Sequence, residues 1–133
     1  MKPFDIAAYE SSDIATLQVT DAKGGPLIGP DGEQVAIRLF GPGSQQYLKA
    51  QSRLDSAASE RAMESLRGKP VSDSEDEMRQ RVAEKYAACT AGIDHFPVEP
   101  LALYTNPRLG YITEQVGRFL GNWANFTKGS TGG

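Results

Sequence analysis

Large apolar side chains at helical spacing are concentrated in one stretch of this chain, residues 101–126, while the middle is polar and charged. Leu109, Ile112, Val116, Phe119, Leu120 and Trp123 recur at the intervals that place residues on one helix face. Asn106-Pro107 ahead of them supplies an N-cap and a proline whose fixed φ suits a first helical turn. The spacing therefore predicts a final helix from Pro107 to near Phe126. Any fold must dispose of its apolar face, either as the central helix of a small core or as a surface for another protein. Tyr111, Ala124 and Phe126 extend the band beyond one face, more than a small sheet and two polar helices would cover. The inner part, Leu109 to Leu120, reads as core. The aromatic end at Trp123 and Phe126 is the part left between the two readings.

The rest of the chain predicts what that helix packs on. Leu17 and Val19 alternate with Thr16, Gln18 and Thr20, and Val35, Ile37 and Leu39 alternate with Gln34, Ala36 and Arg38. Period-two alternation marks half-buried strands. Asp21-Ala-Lys-Gly-Gly25 and Gly29-Pro-Asp-Gly32 are turn signals around a short apolar Leu27-Ile28, so a meander with a brief middle strand is expected. Two or three strands are marginal alone and need helices over one face. Ser44 is a suitable N-cap for a first helix from Gln45 to Arg67, stopped by Gly68 and Pro70, with Tyr47, Leu54, Ala58, Ala62 and Leu66 as its thin apolar stripe. Ser72 with Glu75 and Ser74 with Glu77 form overlapping capping boxes before a second helix. That helix carries Met78, Val82, Tyr86, Cys89 and Ile93 on one face and closes at Gly92. A short helical turn is expected over Leu101 to Tyr104. The expected architecture is α+β: an N-terminal antiparallel β-hairpin or meander packed with three main α-helices. Residues 1–126 make one domain and 127–133 a flexible tail.

Catalytic chemistry finds little footing. Cys89 is the one cysteine and His95 the one histidine, which leaves no internal disulfide and no multi-cysteine metal site. Cys89 reads as a small buried hydrophobe. His95 with Asp94 and Glu99 could be drawn as ligands, but Pro97 and Pro100 break the even spacing that a helical metal site needs. Gly29-Pro-Asp-Gly32 lacks the lysine and spacing of a phosphate loop. With 17 acidic against 14 basic residues, and Arg108, Arg118 and Lys128 scattered, a nucleic-acid partner is not expected. No apolar run approaches a membrane span and no signal core is present, so a reducing cytoplasm without membrane attachment is expected. No cofactor is expected.

Three blocks carry a resemblance. They are Gly25-Pro-Leu-Ile-Gly-Pro-Asp-Gly-Glu-Gln-Val-Ala-Ile-Arg-Leu39, then Gly41-Pro-Gly-Ser-Gln-Gln-Tyr47, then Leu101-Ala-Leu-Tyr-Thr-Asn-Pro-Arg-Leu-Gly-Tyr-Ile-Thr-Glu-Gln-Val116 with Gly121-Asn-Trp-Ala-Asn-Phe126. Together they resemble the tail assembly chaperones of long-tailed phages, which open with β-structure, continue through a charged helical middle, and end on an Ile-x-x-Gln-Val helix closing near Asn-Phe. The long polar first helix is not fixed by the resemblance. It implies a non-catalytic protein of the bacterial host cytoplasm, absent from the finished particle. Such a protein would bind the tape-measure protein, keep it soluble and help tail-tube subunits polymerise around it. A longer frameshifted product also occurs in many such phages. The partner-binding surface expected here is Tyr111, Gln115, Phe119, Trp123 and Phe126. An alternative of the same size and context is a small phage structural component, a head–tail completion or tail-terminator protein that self-associates into a ring. A host-directed inhibitor is a more distant one.

Overall fold

The computed structural model describes residues 4–68 and 75–127, the side chains of Glu75 and Asp76 excepted. Its sheet has three antiparallel strands in the order β1-β2-β3, with β1 at Ile14–Gln18, β2 at Ala36–Phe40 and β3 at Thr90–Asp94. Helices α1 (Gln45–Leu66) and α2 (Glu75–Ala88) stand between β2 and β3 in sequence, and α3 (Pro100–Thr105) and α4 (Gly110–Leu120) follow. The class is α+β, as the alternating strands and periodic helices imply.

The expected alternation holds in β1 and β2 except at Ala36, which is buried although the alternation groups it with Gln34 and Arg38, away from the core. Ala15, Val19, Val35, Ile37 and Leu39 are buried and Leu17 packs against them. Leu17, Ile37 and Ile93 stand opposite one another across the three strands. They share one face with the core, where Leu103, Tyr104, Ile112, Val116, Phe119, Leu120 and Phe126 close over them. Thr16, Arg38 and Gly92 form the neighbouring row, whose side chains point to the other face. Leu27-Ile28 makes no strand. It joins the sheet's end through single bridges, Thr20 with Pro26 and Ile28 with Gln34. The link is a ring of three backbone bonds, Val19 N–H to Val35 O, Leu27 N–H to Val19 O and Val35 N–H to Leu27 O. Gly24 and Gly32 take φ of 92° and 85° in the two turns, angles that favour glycine.

β3 is the main departure from expectation. Gly92 and Ile93 belong to a strand, not to the end of the second helix, which stops at Ala88. The spacing from Cys89 to Ile93 imitates a helical face, but Thr90 and Ile93 are β-branched and an open edge of β2 lies within reach. Gly92 leaves the space that the Arg38 guanidinium occupies: a Cβ there would come within 2.0 Å of Nη2, and the side chain would have to swing aside. With no side chain in the way, Arg38 crosses the strand and places Nε 3.2 Å from Asp94 Oδ2. On α2 the fully buried residue is Ala83, and Met78 is half exposed.

Ser44 caps α1 as expected. Its buried hydroxyl donates to Gly41 O at 2.6 Å and accepts from Tyr47 N–H at 3.2 Å. The side of α1 that meets α2 is Tyr47, Ala50, Leu54, Ala57 and Arg61, whereas Ala58, Ala62 and Leu66 of the expected stripe are exposed. A helix of this length is about 33 Å long, and only Ala50 on it is fully buried. The two helices therefore form an antiparallel arm, with Tyr47 beside Lys85 at its base and Arg61 paired to Glu77 further out. The capping boxes at Ser72 and Ser74 lie outside the described residues, as do positions 128–133 of the expected tail.

Candidate interaction surface

The final helix begins where Asn106-Pro107 predicts, through a 3-10 turn at Pro107–Leu109 whose first free N–H, on Arg108, is taken by Asn106 Oδ1 at 3.0 Å. It ends earlier than predicted. α4 stops at Leu120, and Asn122 Oδ1 accepts from Ala124 N–H at 3.0 Å to start a new 3-10 turn, Trp123–Phe126. A continuous helix would have stacked Trp123 on Phe119 and Leu120, four and three residues back. The break turns Trp123 outward, 57% exposed, and sends Phe126 inward, fully buried.

The five expected binding residues thus separate. Phe119 and Phe126 are core rings, edge to face with centroids 5.3 Å apart. Phe126 fills a seat left by Gly41, where a Cβ would lie 2.5 Å from the ring, and its carbonyl accepts from Ser12 N–H. Gln115 is an internal clamp. Its Oε1 accepts from Thr20 N–H at 2.9 Å and Thr20 Oγ1 at 3.0 Å, and its Nε2 donates to Thr20 O at 2.8 Å and Tyr111 O at 3.0 Å. One side-chain amide so satisfies both backbone groups of Thr20, beyond the end of β1. Tyr111 is half-buried against the core. Of the five, Trp123 alone is largely free to meet a partner.

Trp123 has neighbours that periodicity does not reveal. It borders a groove of about 400 Å³ shared with Ala8, Tyr9, Glu10 and Ser11. Gly43 underlies it closely: a Cβ would sit 3.0 Å from Ser11 Oγ and 3.4 Å from the indole, so either neighbour would have to shift by a few tenths of an ångström. Across the groove Tyr9 stacks on Phe4, ring centroids 5.8 Å apart, both rings mostly exposed, and Ile6 of the same segment is exposed as well. Asp5 caps the 3-10 turn Ile6–Tyr9 that holds these side chains. The one available signal was Phe4, Ile6 and Tyr9 themselves, three large apolar residues in a segment with no strand or helix period to absorb them.

The reactive side chains lie elsewhere. Cys89 is fully buried and burial pushes its thiol up to about 11, so it is protonated at neutral pH. Tyr104 is pushed up to about 12 by burial, with its hydroxyl 2.7 Å from Thr90 Oγ1, which itself donates to Tyr86 O. His95, with φ of 68°, holds Nδ1 2.6 Å from Asp31 Oδ2 on the surface. The hydrogen bond raises the imidazole and lowers the carboxyl from their ordinary values. Its carbonyl passes over Gly29, where a Cβ would clash at 1.8 Å. No group of three or more His, Cys, Asp or Glu that could hold a metal occurs among the described residues, and none of their helices is long and apolar enough to cross a membrane. Compared with known proteins, the chain matches no family model, no curated protein and no solved structure.

Proposed function

We propose that the chain is a non-catalytic assembly protein of the phage tail-chaperone kind, which holds the tape-measure protein soluble while tail-tube subunits gather on it. The observation that carries the reading is the exposed groove between Tyr9 and Trp123, with Phe4 stacked on Tyr9 beside it. Exposed aromatics grouped around a concavity are the usual anchors of protein contacts, and a helical partner with apolar residues on one face would fill it. The test is co-expression with a tape-measure fragment. The chain is expected to raise the soluble yield of the fragment, and Trp123→Ala with Tyr9→Ala to remove that effect while the variant unfolds at the same temperature. A wild-type chain that leaves the fragment insoluble would sink the assignment; a double variant that still solubilises it would sink the surface.

One observation favours the ring-forming alternative. Strand β1 carries no charge, and none of the other described segments hydrogen-bonds to its outer edge. An unblocked edge is a template for strand addition by a second copy. A defined oligomer of the purified chain, dispersed by Thr16→Pro, supports that reading, and a monomer at all concentrations removes it.

A further inference from the structure

The arm formed by α1 and α2 contains a cleft of about 240 Å³. Ala50, Leu54 and Ala57 give it an apolar wall, and Arg53, Arg81 and Lys85 give it three cations. Lys85 is positioned by neutral oxygens alone. Its Nζ donates to Gln51 Oε1 at 2.5 Å and Tyr47 Oη at 3.4 Å, and it lies 4.8 Å from the centre of the Tyr47 ring. Among the described residues no carboxylate pairs with Arg53, Arg81 or Lys85. The one acid on the cleft, Glu84, accepts instead from Gln80 Nε2 at 3.3 Å. Acids outnumber bases in this chain, 17 to 14, so counterions are not scarce in the sequence. Three cations against the one carboxylate of Glu84 leave the concavity with a positive excess that a further anion would offset.

We propose that this cleft binds a small organic anion, a phosphate or carboxylate head on a short apolar body. The head sits among Arg53, Arg81 and Lys85. Guanidinium forks match the paired oxygens of either group, and the ammonium adds a fixed point charge. The body lies on Ala50, Leu54 and Ala57, where small side chains leave the room. The size of the cleft suits one charged group, not a nucleic-acid backbone, which needs a track of cations. The inference does not rest on the assembly role and concerns a different face of the molecule.

Titration of the isotope-labelled chain at constant ionic strength, followed by amide NMR, tests it with three probes: inorganic phosphate, phenyl phosphate and benzoate. Saturable shifts centred on Leu54, Arg81 and Lys85 are expected, with phenyl phosphate binding about tenfold tighter than inorganic phosphate because its ring leaves water. Benzoate binding tighter than phenyl phosphate assigns the head as a carboxylate, and the reverse assigns a phosphate. Arg53→Gln with Arg81→Gln is expected to weaken binding about tenfold or more at unchanged helicity. Ala57→Leu, which fills the wall and keeps every charge, is expected to weaken phenyl phosphate more than inorganic phosphate. Shifts that never saturate, that spread over the surface, or that persist in the double variant overturn the site. Equal affinity for phosphate and phenyl phosphate overturns the apolar wall as part of it.

Discussion

Phe126→Ala should be among the most destabilising single changes in this protein, and Trp123→Ala, three residues earlier, should be nearly silent. The Phe126 ring is fully buried, packed on the edge of Phe119 and seated against Gly41. Emptying a fully buried phenylalanine site costs about 3–5 kcal/mol, the larger values arising where the walls cannot collapse. Here they are pinned. Gly41 N–H donates to Asp13 O at 2.7 Å, and Gly41 O accepts from both the N–H and the hydroxyl of Ser44. About 4 kcal/mol is therefore expected, a large part of the roughly 5–15 kcal/mol that holds a typical domain folded. Trp123 keeps most of its surface in water already, so its loss should cost about 1 kcal/mol or less. Urea unfolding measures both. With a slope of about 1–3 kcal/mol per molar, the midpoint of Phe126→Ala should fall by roughly 2 M at unchanged slope. Circular dichroism is the right signal, since Trp123 is the only tryptophan and its removal abolishes the fluorescence probe. A Phe126→Ala midpoint shifted by less than about 0.5 M, or a Trp123→Ala shift as large as that of Phe126→Ala, would refute the inward and outward assignment of the two rings.

Two further outcomes follow from the polar contacts. Gln115→Ala leaves both backbone groups of Thr20 without their side-chain partner and should cost about 1–3 kcal/mol by the same urea measurement, whereas a surface clamp of no consequence would show none. His95 should titrate above the ordinary histidine value in an NMR pH series and fall toward it in Asp31→Asn, where Glu33 and Asp94 still favour the imidazolium. The sign is fixed by the two shifts: the raised imidazole contributes stability below its unfolded pKa that is lost as pH rises through the folded one. The lowered Asp31 carboxyl contributes stability above its unfolded pKa that is lost as pH falls through the folded one, so the pair is strongest between the two ranges. Unchanged His95 titration in Asp31→Asn would show that the contact does not persist in solution.

Local signals made much of the fold legible. Period-two alternation located β1 and β2, Ser44 and Gly68 bracketed α1, and Asn106-Pro107 marked the approach to α4 to within a few residues. What escaped was decided by residues far apart in the chain. Thr90–Asp94 is a strand because β2 has an edge for it, and the spacing of Cys89 and Ile93 cannot report that. Ala58, Ala62 and Leu66 are exposed because the stripe on α1 is set by the axis of α2, which shifts the contact side to Ala57 and Arg61. The Gln115 clamp and the His95–Asp31 pair join residues 95 and 64 positions apart. The inversion of Trp123 and Phe126 turns on one local event, the Asn122 cap, which a purely periodic reading passes through. The aromatic groove was missed for a related reason: half of it comes from the N-terminal segment, which has no period to read.

The arm's attachment has a mechanical consequence. Its two helices leave from neighbouring strands, α1 from the end of β2 and α2 into the start of β3, and the first bond between those strands, Phe40 N–H to Cys89 O at 2.7 Å, lies at the fork. A load that pulls both helices the same way is shared by the whole β2–β3 seam. A load that splays them falls on that single bond and opens the seam one rung at a time, like a zip. The domain is thus stiff to tugging and compliant to spreading.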